Sequence, residues 1–290
     1  MNLWQNYIRP KNLAEAMDAF ANSPRPLAPL AGGTDLLLDL EQGRHSPVQT
    51  LIDLTSIPEL SLLELRGDEL FVGAAVPVNR IVHDPLTARH AQALVEACDL
   101  IAGPQVRNVA TLGGNVAHAL PAADGTIALL ALNAEAEIAS AAGTRRIPFQ
   151  ELFLGPGKSS LKPGEDLIVG FYLSLSKPHQ ASCFKRIMRP QGVALPIINL
   201  AIWLERLEDK ISQIRIAVGP GGPTPWKASE AEKALLGKPL NDETFHAVVE
   251  ALLAQVGFRS SARRASADYR RHIVSGLFKD VIETSWNRAK

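Results

Sequence analysis

The chain has 290 residues, 46% of them hydrophobic, and its 30 basic residues balance its 30 acidic ones. That length allows two domains with ordinary soluble cores, and a net charge of zero removes the global field that would gather nucleic acid or an anionic membrane surface. No stretch reaches the roughly 18 apolar residues of a membrane span, and residues 1–10 carry no basic region followed by an apolar run, so a cytoplasmic protein is expected. Cys98 and Cys183 stand apart, outside any Cys-x-x-Cys spacing, which argues against disulfides, a zinc site or an iron–sulfur cluster on this chain.

Apolar spacing predicts a helix over 13–21 and a strand over 27–30. A glycine pair follows in Leu30-Ala31-Gly32-Gly33-Thr34-Asp35-Leu36, leading into a helix at 36–40 that Thr34 or Asp35 is placed to cap. Strands are expected at 50–53 and 70–74, a turn at 55–58 closing a first lobe, and a helix at 86–97. The second glycine pair lies in Thr111-Leu112-Gly113-Gly114-Asn115, ahead of Asp124 and a helix over 126–132. Strands at 135–139 and 166–173 precede a polar break at 176–180, where we place the domain boundary. Beyond it, strands at 183–188, 197–204 and 213–218 predict a three-stranded antiparallel sheet, ended by the Gly- and Pro-rich turn 219–225. Helices over 227–236, 242–256 and 267–289 close the chain, with Asn241 and Ser266 as N-caps and Tyr269, Ile273, Leu277 and Ile282 on the packed face of the last. The texture is α+β.

Each glycine pair lets backbone N–H groups approach phosphate oxygens with no Cβ between them, and two such loops would grip one diphosphate from both sides. Either loop also reads as a tight turn. Neither Gly-x-Gly-x-x-Gly nor the Gly-x-x-x-x-Gly-Lys-[Ser/Thr] phosphate loop occurs. Asp124 is placed either to accept hydrogen bonds from the hydroxyls of a sugar or ribityl chain or to cap its helix.

These motifs in this order, Leu-Ala-Gly-Gly-Thr-Asp at 30–35, Ile-Ala-Gly-Pro-Gln-Val-Arg-Asn at 101–108, Thr-Leu-Gly-Gly-Asn at 111–115 and Pro-Ala-Ala-Asp at 121–124, resemble the medium, FAD-binding subunit of the molybdenum hydroxylases. The resemblance continues through Phe184-Lys185 and residues 264–270 and covers essentially the whole chain. It implies a two-lobed FAD-binding domain of the vanillyl-alcohol-oxidase-like type over 1–176, with lobes at about 1–57 and 58–176, and a C-terminal domain over 177–290. It implies that Pro29, Leu30, Ala31, Gly32, Gly33, Thr34, Asp35 and Leu36 form one diphosphate loop. Thr111, Leu112, Gly113, Gly114 and Asn115 would form the other, with Asp124 on the polyol or diphosphate. Ile101 would lie near the ring, Val169 would offer a backbone contact, and Lys185 would bring a cation to the flavin, unless it is a solvated lysine at a strand start.

By the same resemblance the chain is an oxidoreductase subunit with non-covalent FAD. The [2Fe-2S] clusters would lie on an iron–sulfur small subunit and the molybdenum cofactor on a large subunit. Electrons would pass from those clusters to NAD⁺, oxygen or a quinone. Unlike some relatives, the chain has no cysteine-bearing insertion. No residue is assigned as catalytic, and His118, beside the second loop, is expected to be structural. The run Arg259, Arg263, Arg264, Arg270 and Arg271 is expected to be a solvated face or a subunit contact rather than a nucleic-acid patch. A free-standing FAD-dependent reductase and a non-enzymatic scaffold remain as alternatives.

Overall fold

The computed structural model describes residues 2–189, 195–262 and 264–290. β1 (Asn6–Ile8), α1 (Leu13–Asn22), β2 (Leu27–Leu30), α2 (Leu36–Glu41) and β3 (Thr50–Asp53) form the first lobe. Its sheet runs β1-β3-β2 with both pairings parallel, and β3, buried along its length, is central. Pro29 has no N–H to give to a ladder, which suits β2 to the sheet edge, and that edge runs straight into the first glycine loop. α1 begins where the Asn12 side chain accepts the Glu15 N–H. It buries Ala16, Ala19 and Phe20, one stripe at helical spacing.

The second lobe opens with β4 (Leu63–Arg66) and β5 (Glu69–Gly73). A helical layer follows: α3 (Val78–His83), α4 (Pro85–His90), α5 (Gln92–Asp99), α6 (Pro104–Arg107), α7 (Leu112–Ala117) and α8 (Asp124–Ala131). Then come β6 (Glu135–Ser140), β7 (Gly143–Pro148), the hairpin of β8 (Phe153–Gly155) and β9 (Lys158–Ser159), and β10 (Leu167–Ser174). The five-stranded sheet is antiparallel in the order β4-β5-β10-β6-β7, so the last strand sits at its centre. The single helix expected at 86–97 is two helices. α4 starts on the Asp84 cap with Pro85 in its first turn and breaks at Ala91, whose φ of −143° leaves the helical region. Phe20, Ile52 and Ile57 of the first lobe share one buried cluster with Phe71, Leu167 and Val169 of the second, so the two lobes are fused through a common core.

The C-terminal part holds β11 (Gln180–Met188), β12 (Pro196–Leu207), β13 (Lys210–Gly219), β14 (Trp226–Lys227), α9 (Ser229–Leu235), α10 (Asp242–Gln255) and α11 (Ala267–Arg288). The three expected strands are antiparallel, and β14 adds a fourth at the edge, pairing only Lys227 and Trp226 with Ala217 and Val218. Two residues after Pro225 carry no readable period, which is why that strand is invisible in the sequence. Strand alternation divides the sheet's faces. Phe184, Ala201, Trp203 and Ala217 join the core of the helical layer, while Cys183, Leu200, Ile202 and Ile216 pack with Val274, Phe278 and Val281 of α11.

Asn241 and Ser266 cap α10 and α11 as expected, the former within a capping box. Of the four residues expected on the packed face of α11, Leu277 and Ile282 are buried and Ile273 packs against the same core, but Tyr269 does not. Arg270, Val274, Leu277, Phe278, Val281, Ile282 and Ser285 are buried, whereas Tyr269 is exposed. Arg270, the next residue, is buried at that end of the helix instead of Tyr269.

Candidate functional site

A cleft of about 1280 Å³ is lined by the first lobe, the helical layer and the C-terminal part. Its first wall is the loop from Pro29 to Leu36, every residue of which lines it. Among the described residues, the N–H groups of Gly32, Gly33, Thr34 and Asp35 reach no backbone carbonyl, so four donors in a row stand open to the cleft. Gly33 has φ +69°, the left-handed region that favours glycine. A Cβ on Gly32 would lie 2.2 Å from the Val109 carbonyl oxygen, so only a glycine lets this loop press against the chain that leads to the second one. Asp35 stands at the position before α2 and makes no capping bond; the helix is capped by neither Thr34 nor Asp35.

The second loop is built differently. Thr111 Oγ1 accepts the Gly114 N–H at 3.1 Å and caps α7, and the Asn115 N–H reaches the Thr111 carbonyl at 3.0 Å. The Leu112 and Gly113 N–H groups bond to the carbonyls of Val76 and Ala74. Thr111, Gly114 and Asn115 line the cleft; Leu112 and Gly113 do not. A Cβ on Gly113 would lie 2.6 Å from that of Ala74, so this glycine serves the packing of α7 on the chain after β5. Both loops thus reach the cleft, and among the described residues the run of four open amides belongs to the first. Ile101 lines the cleft beside Ala102, whose φ is +47°, and Arg107 holds that turn by donating to both carbonyls, at 3.2 and 2.9 Å.

Asp124 is the first residue of α8 and does not cap it; Ala123 precedes the helix without a side-chain bond. Its carboxylate instead accepts Nδ2 of Asn199 at 2.6 Å and the guanidinium of Arg186. Both side chains of the pair are only 5% exposed. Burial pushes the Asp124 carboxyl up to about 6, against the opposing pull of Arg186 and Asn199.

Two of the expected residues lie outside this lining. Lys185 does not line the cleft: its Nζ pairs with Asp280 at 2.6 Å and bonds Thr284 at 3.1 Å, both on α11. β11 alternates, so if residue 185 faces α11, residue 186 faces the cleft, and the cation there is Arg186. Val169 is buried in the fused core away from the cleft, and its carbonyl accepts the Ala74 N–H at 2.9 Å.

The cleft also holds residues that sequence reasoning missed. Lys162, Gly164 and Asp166 reach it from the turn before β10, and Arg259, Arg264 and Arg270 from the last loop and first turn of α11. Of the run expected to be a solvated face or a subunit contact, Arg259 is exposed and Arg264 half-buried, whereas Arg270 is buried, and Arg271 donates to the Leu253 and Val256 carbonyls. Arg263 lies outside the described residues. The Lys162-Pro163-Gly164 turn and the arginine run were the available signals. His118 lines the cleft as well.

This donor set fits FAD. Asn115 Oδ1 and Arg186 Nε are buried with no partner, an arrangement costing about 1–3 kcal/mol per group unless something completes it. A ligand bearing hydroxyls and carbonyl oxygens would complete both, and its diphosphate would take the four open amides. Among the described residues no cluster of His, Cys, Asp or Glu could hold a metal, and no helix is long and apolar enough to cross a membrane.

Residues 3–173 match the FAD binding domain in molybdopterin dehydrogenase, and residues 182–285 the CO dehydrogenase flavoprotein C-terminal domain. The chain is 35% identical to the xanthine dehydrogenase FAD-binding subunit of Escherichia coli O157:H7 over 279 residues, 96% of this chain and 94% of that one. It is 32% identical to the nicotine 6-hydroxylase medium subunit of Paenarthrobacter nicotinovorans, covering 95% of each chain. A solved chain of carbon monoxide dehydrogenase from Hydrogenophaga pseudoflava superimposes with a TM-score of 0.92 at 28% identity, covering 98% of both. The chain belongs to the FAD-binding flavoprotein subunits of the molybdenum hydroxylases.

Proposed function

We propose that this chain holds a dissociable FAD in the cleft and relays electrons within a larger assembly. They would come from the [2Fe-2S] clusters of a small subunit and, before that, from the molybdenum cofactor of a large subunit, and would leave to a soluble acceptor. The observation that carries this is the pairing of opposed surfaces: the open amides of Gly32 to Asp35 on one wall, and the buried Asp124–Arg186 pair with its unpartnered Nε on another. The flavin, when bound, supplies both one-electron and two-electron chemistry. This chain's residues bind and tune. The first loop neutralises diphosphate charge with backbone dipoles. Asp124 fixes Arg186 in one orientation, so that a permanent cation faces the cleft where an electron-rich ring would be favoured. Asn115 Oδ1 takes a ligand hydroxyl or N–H. No side chain is assigned an acid–base step.

The test is to isolate the chain with whatever it binds in the cell. Flavin, iron and molybdenum should be recovered together, and dissociation should leave flavin on this chain and both metals on others. Steady oxidation of a nicotinamide nucleotide with a small substrate by the chain alone would favour a free-standing reductase. Partner chains recovered with no flavin would favour a scaffold.

A further inference from the structure

Three residues stand directly opposite one another across the C-terminal sheet: Arg186 on β11, Asn199 on β12 and Gly219 on β13. Strand alternation puts Asn199 on the face that carries Ala201 and Trp203 into the core of the helical layer. An apolar side chain would serve the packing there, yet the position holds a carboxamide with no exposure. Its Nδ2 donates to the Ala122 carbonyl at 3.0 Å and to Asp124 Oδ1 at 2.6 Å, and because both partners accept, the orientation of the amide is fixed. Arg186 takes the other oxygen, Oδ2. One carboxylate is thus held at both oxygens by two neighbours in a cross-strand row.

Gly219 makes room for this arrangement. A Cβ on it would lie 2.3 Å from Asn199 Oδ1 and 2.8 Å from the Pro121 carbonyl oxygen, so a glycine opposite Asn199 is what lets the carboxamide lie against the chain before α8. Asn199 Oδ1 is left buried with no partner, at a cost of about 1–3 kcal/mol, which a residue present for packing alone would not carry. Asp124 and Arg186 line the cleft and Asn199 does not, so any effect of Asn199 on a ligand passes through them. The Cys98 thiol of α5, which feels the same carboxylate, is kept protonated by burial. Arg186 and Asn199 are therefore the groups that favour the ionised form of Asp124.

We propose that Asn199 is a positioning residue for the flavin site, acting through Asp124 to hold the Arg186 guanidinium toward the cleft. This rests on the reading that FAD occupies the cleft, and it adds a residue that no ligand touches. The Ala122 bond anchors the carboxamide, and the Asp124 bond passes that fixed position on to Arg186. Without Nδ2 the carboxylate is free to turn and takes a proton more readily, and a neutral carboxyl grips the guanidinium less firmly.

The experiment compares wild type, Asn199→Ala, Arg186→Gln and the double variant, each checked for folding by circular dichroism. Asn199→Ala should weaken FAD binding at least about fivefold in a fluorescence titration and lower the flavin potential, because a loosened cation favours the reduced ring less. On the Arg186→Gln background the same substitution should change the affinity by less than about twofold. Equal losses on the two backgrounds would overturn the proposal, as would an unchanged potential. Asn199→Ser, whose single hydroxyl proton can serve one of the two acceptors only, carries the same predictions should the alanine variant not fold. The flavin-free chain gives an independent readout. The Asp124 carboxyl, followed by carbon-13 NMR, should titrate at about 6 in wild type and at least about half a unit higher in Asn199→Ala, and equal midpoints would overturn the positioning role. A wild-type chain that takes up no FAD would instead overturn the cofactor reading, and the carboxyl titration would still decide whether Asn199 positions Asp124.

Discussion

Lys185 and Arg186 are neighbours in sequence that face opposite sides of one strand, and the account of the cleft depends on which of them meets the ligand. Arg186 is buried against Asp124, and Lys185 is paired with Asp280 on α11. Arg186→Gln should therefore weaken FAD binding at least about tenfold and Lys185→Met should leave it unchanged, both read by fluorescence titration. Gly33→Val should weaken FAD binding similarly. A Cβ there meets Leu30 and Leu37 side chains at 3.0 Å on a backbone of positive φ, and circular dichroism would separate that from unfolding. Asp124 gives a pH signature. Its folded value, about 6, lies above its ordinary 3.8, so between those values the folded chain binds more protons than the unfolded one. Its contribution to stability is full below about pH 4 and is lost as pH rises through 6. Chemical denaturation of wild type and Asp124→Asn from pH 4 to 7 should show that slope only in the wild type; parallel curves would contradict it.

Among the elements, the short edge and centre strands of the first lobe were legible at their observed bounds, 27–30 and 50–53, because apolar runs are cut off sharply by Pro, Gly and Thr-Ser turns. α11 was legible as a helix, and its packed face was legible through Ile273, Leu277 and Ile282 but not at its first turn, where Tyr269 is exposed. Its buried stripe contains Arg270, which is satisfied by two backbone carbonyls, and no pattern of apolar residues announces such a partner. Val281→Ala should cost about 1–3 kcal/mol and Tyr269→Ala no more than about 0.5 kcal/mol in denaturant unfolding; a reversed order would mean the helix packs on the other face. The join between the C-terminal sheet and the helical layer passes through Glu96. It accepts the Phe184 N–H at 2.7 Å and pairs with Arg288 at 2.6 Å. Glu96→Ala takes the acceptor from the Phe184 N–H, while Arg288 keeps the Ser182 carbonyl at 3.0 Å, and should destabilise the chain by about 1–3 kcal/mol.

Across the whole molecule, the glycine-loop side of the site could be read from the sequence because Gly-Gly beside Thr, Asp or Asn is a local signal. The other side could not. Lys162, Arg186, Arg259 and Arg264 converge from segments far apart along the chain, and strand phase decides which of them face inward. Even within the loops, sequence could not separate Gly114, which faces the cleft, from Gly113, which packs on Ala74. The central claim is that this cleft is an FAD site made by one chain. Its most direct test is the visible absorption spectrum of the purified chain, alone and after incubation with excess FAD and removal of the unbound cofactor. The account predicts flavin bands from a cofactor that denaturation releases in equal number to the protein chains. A chain that remains colourless after that incubation would contradict it.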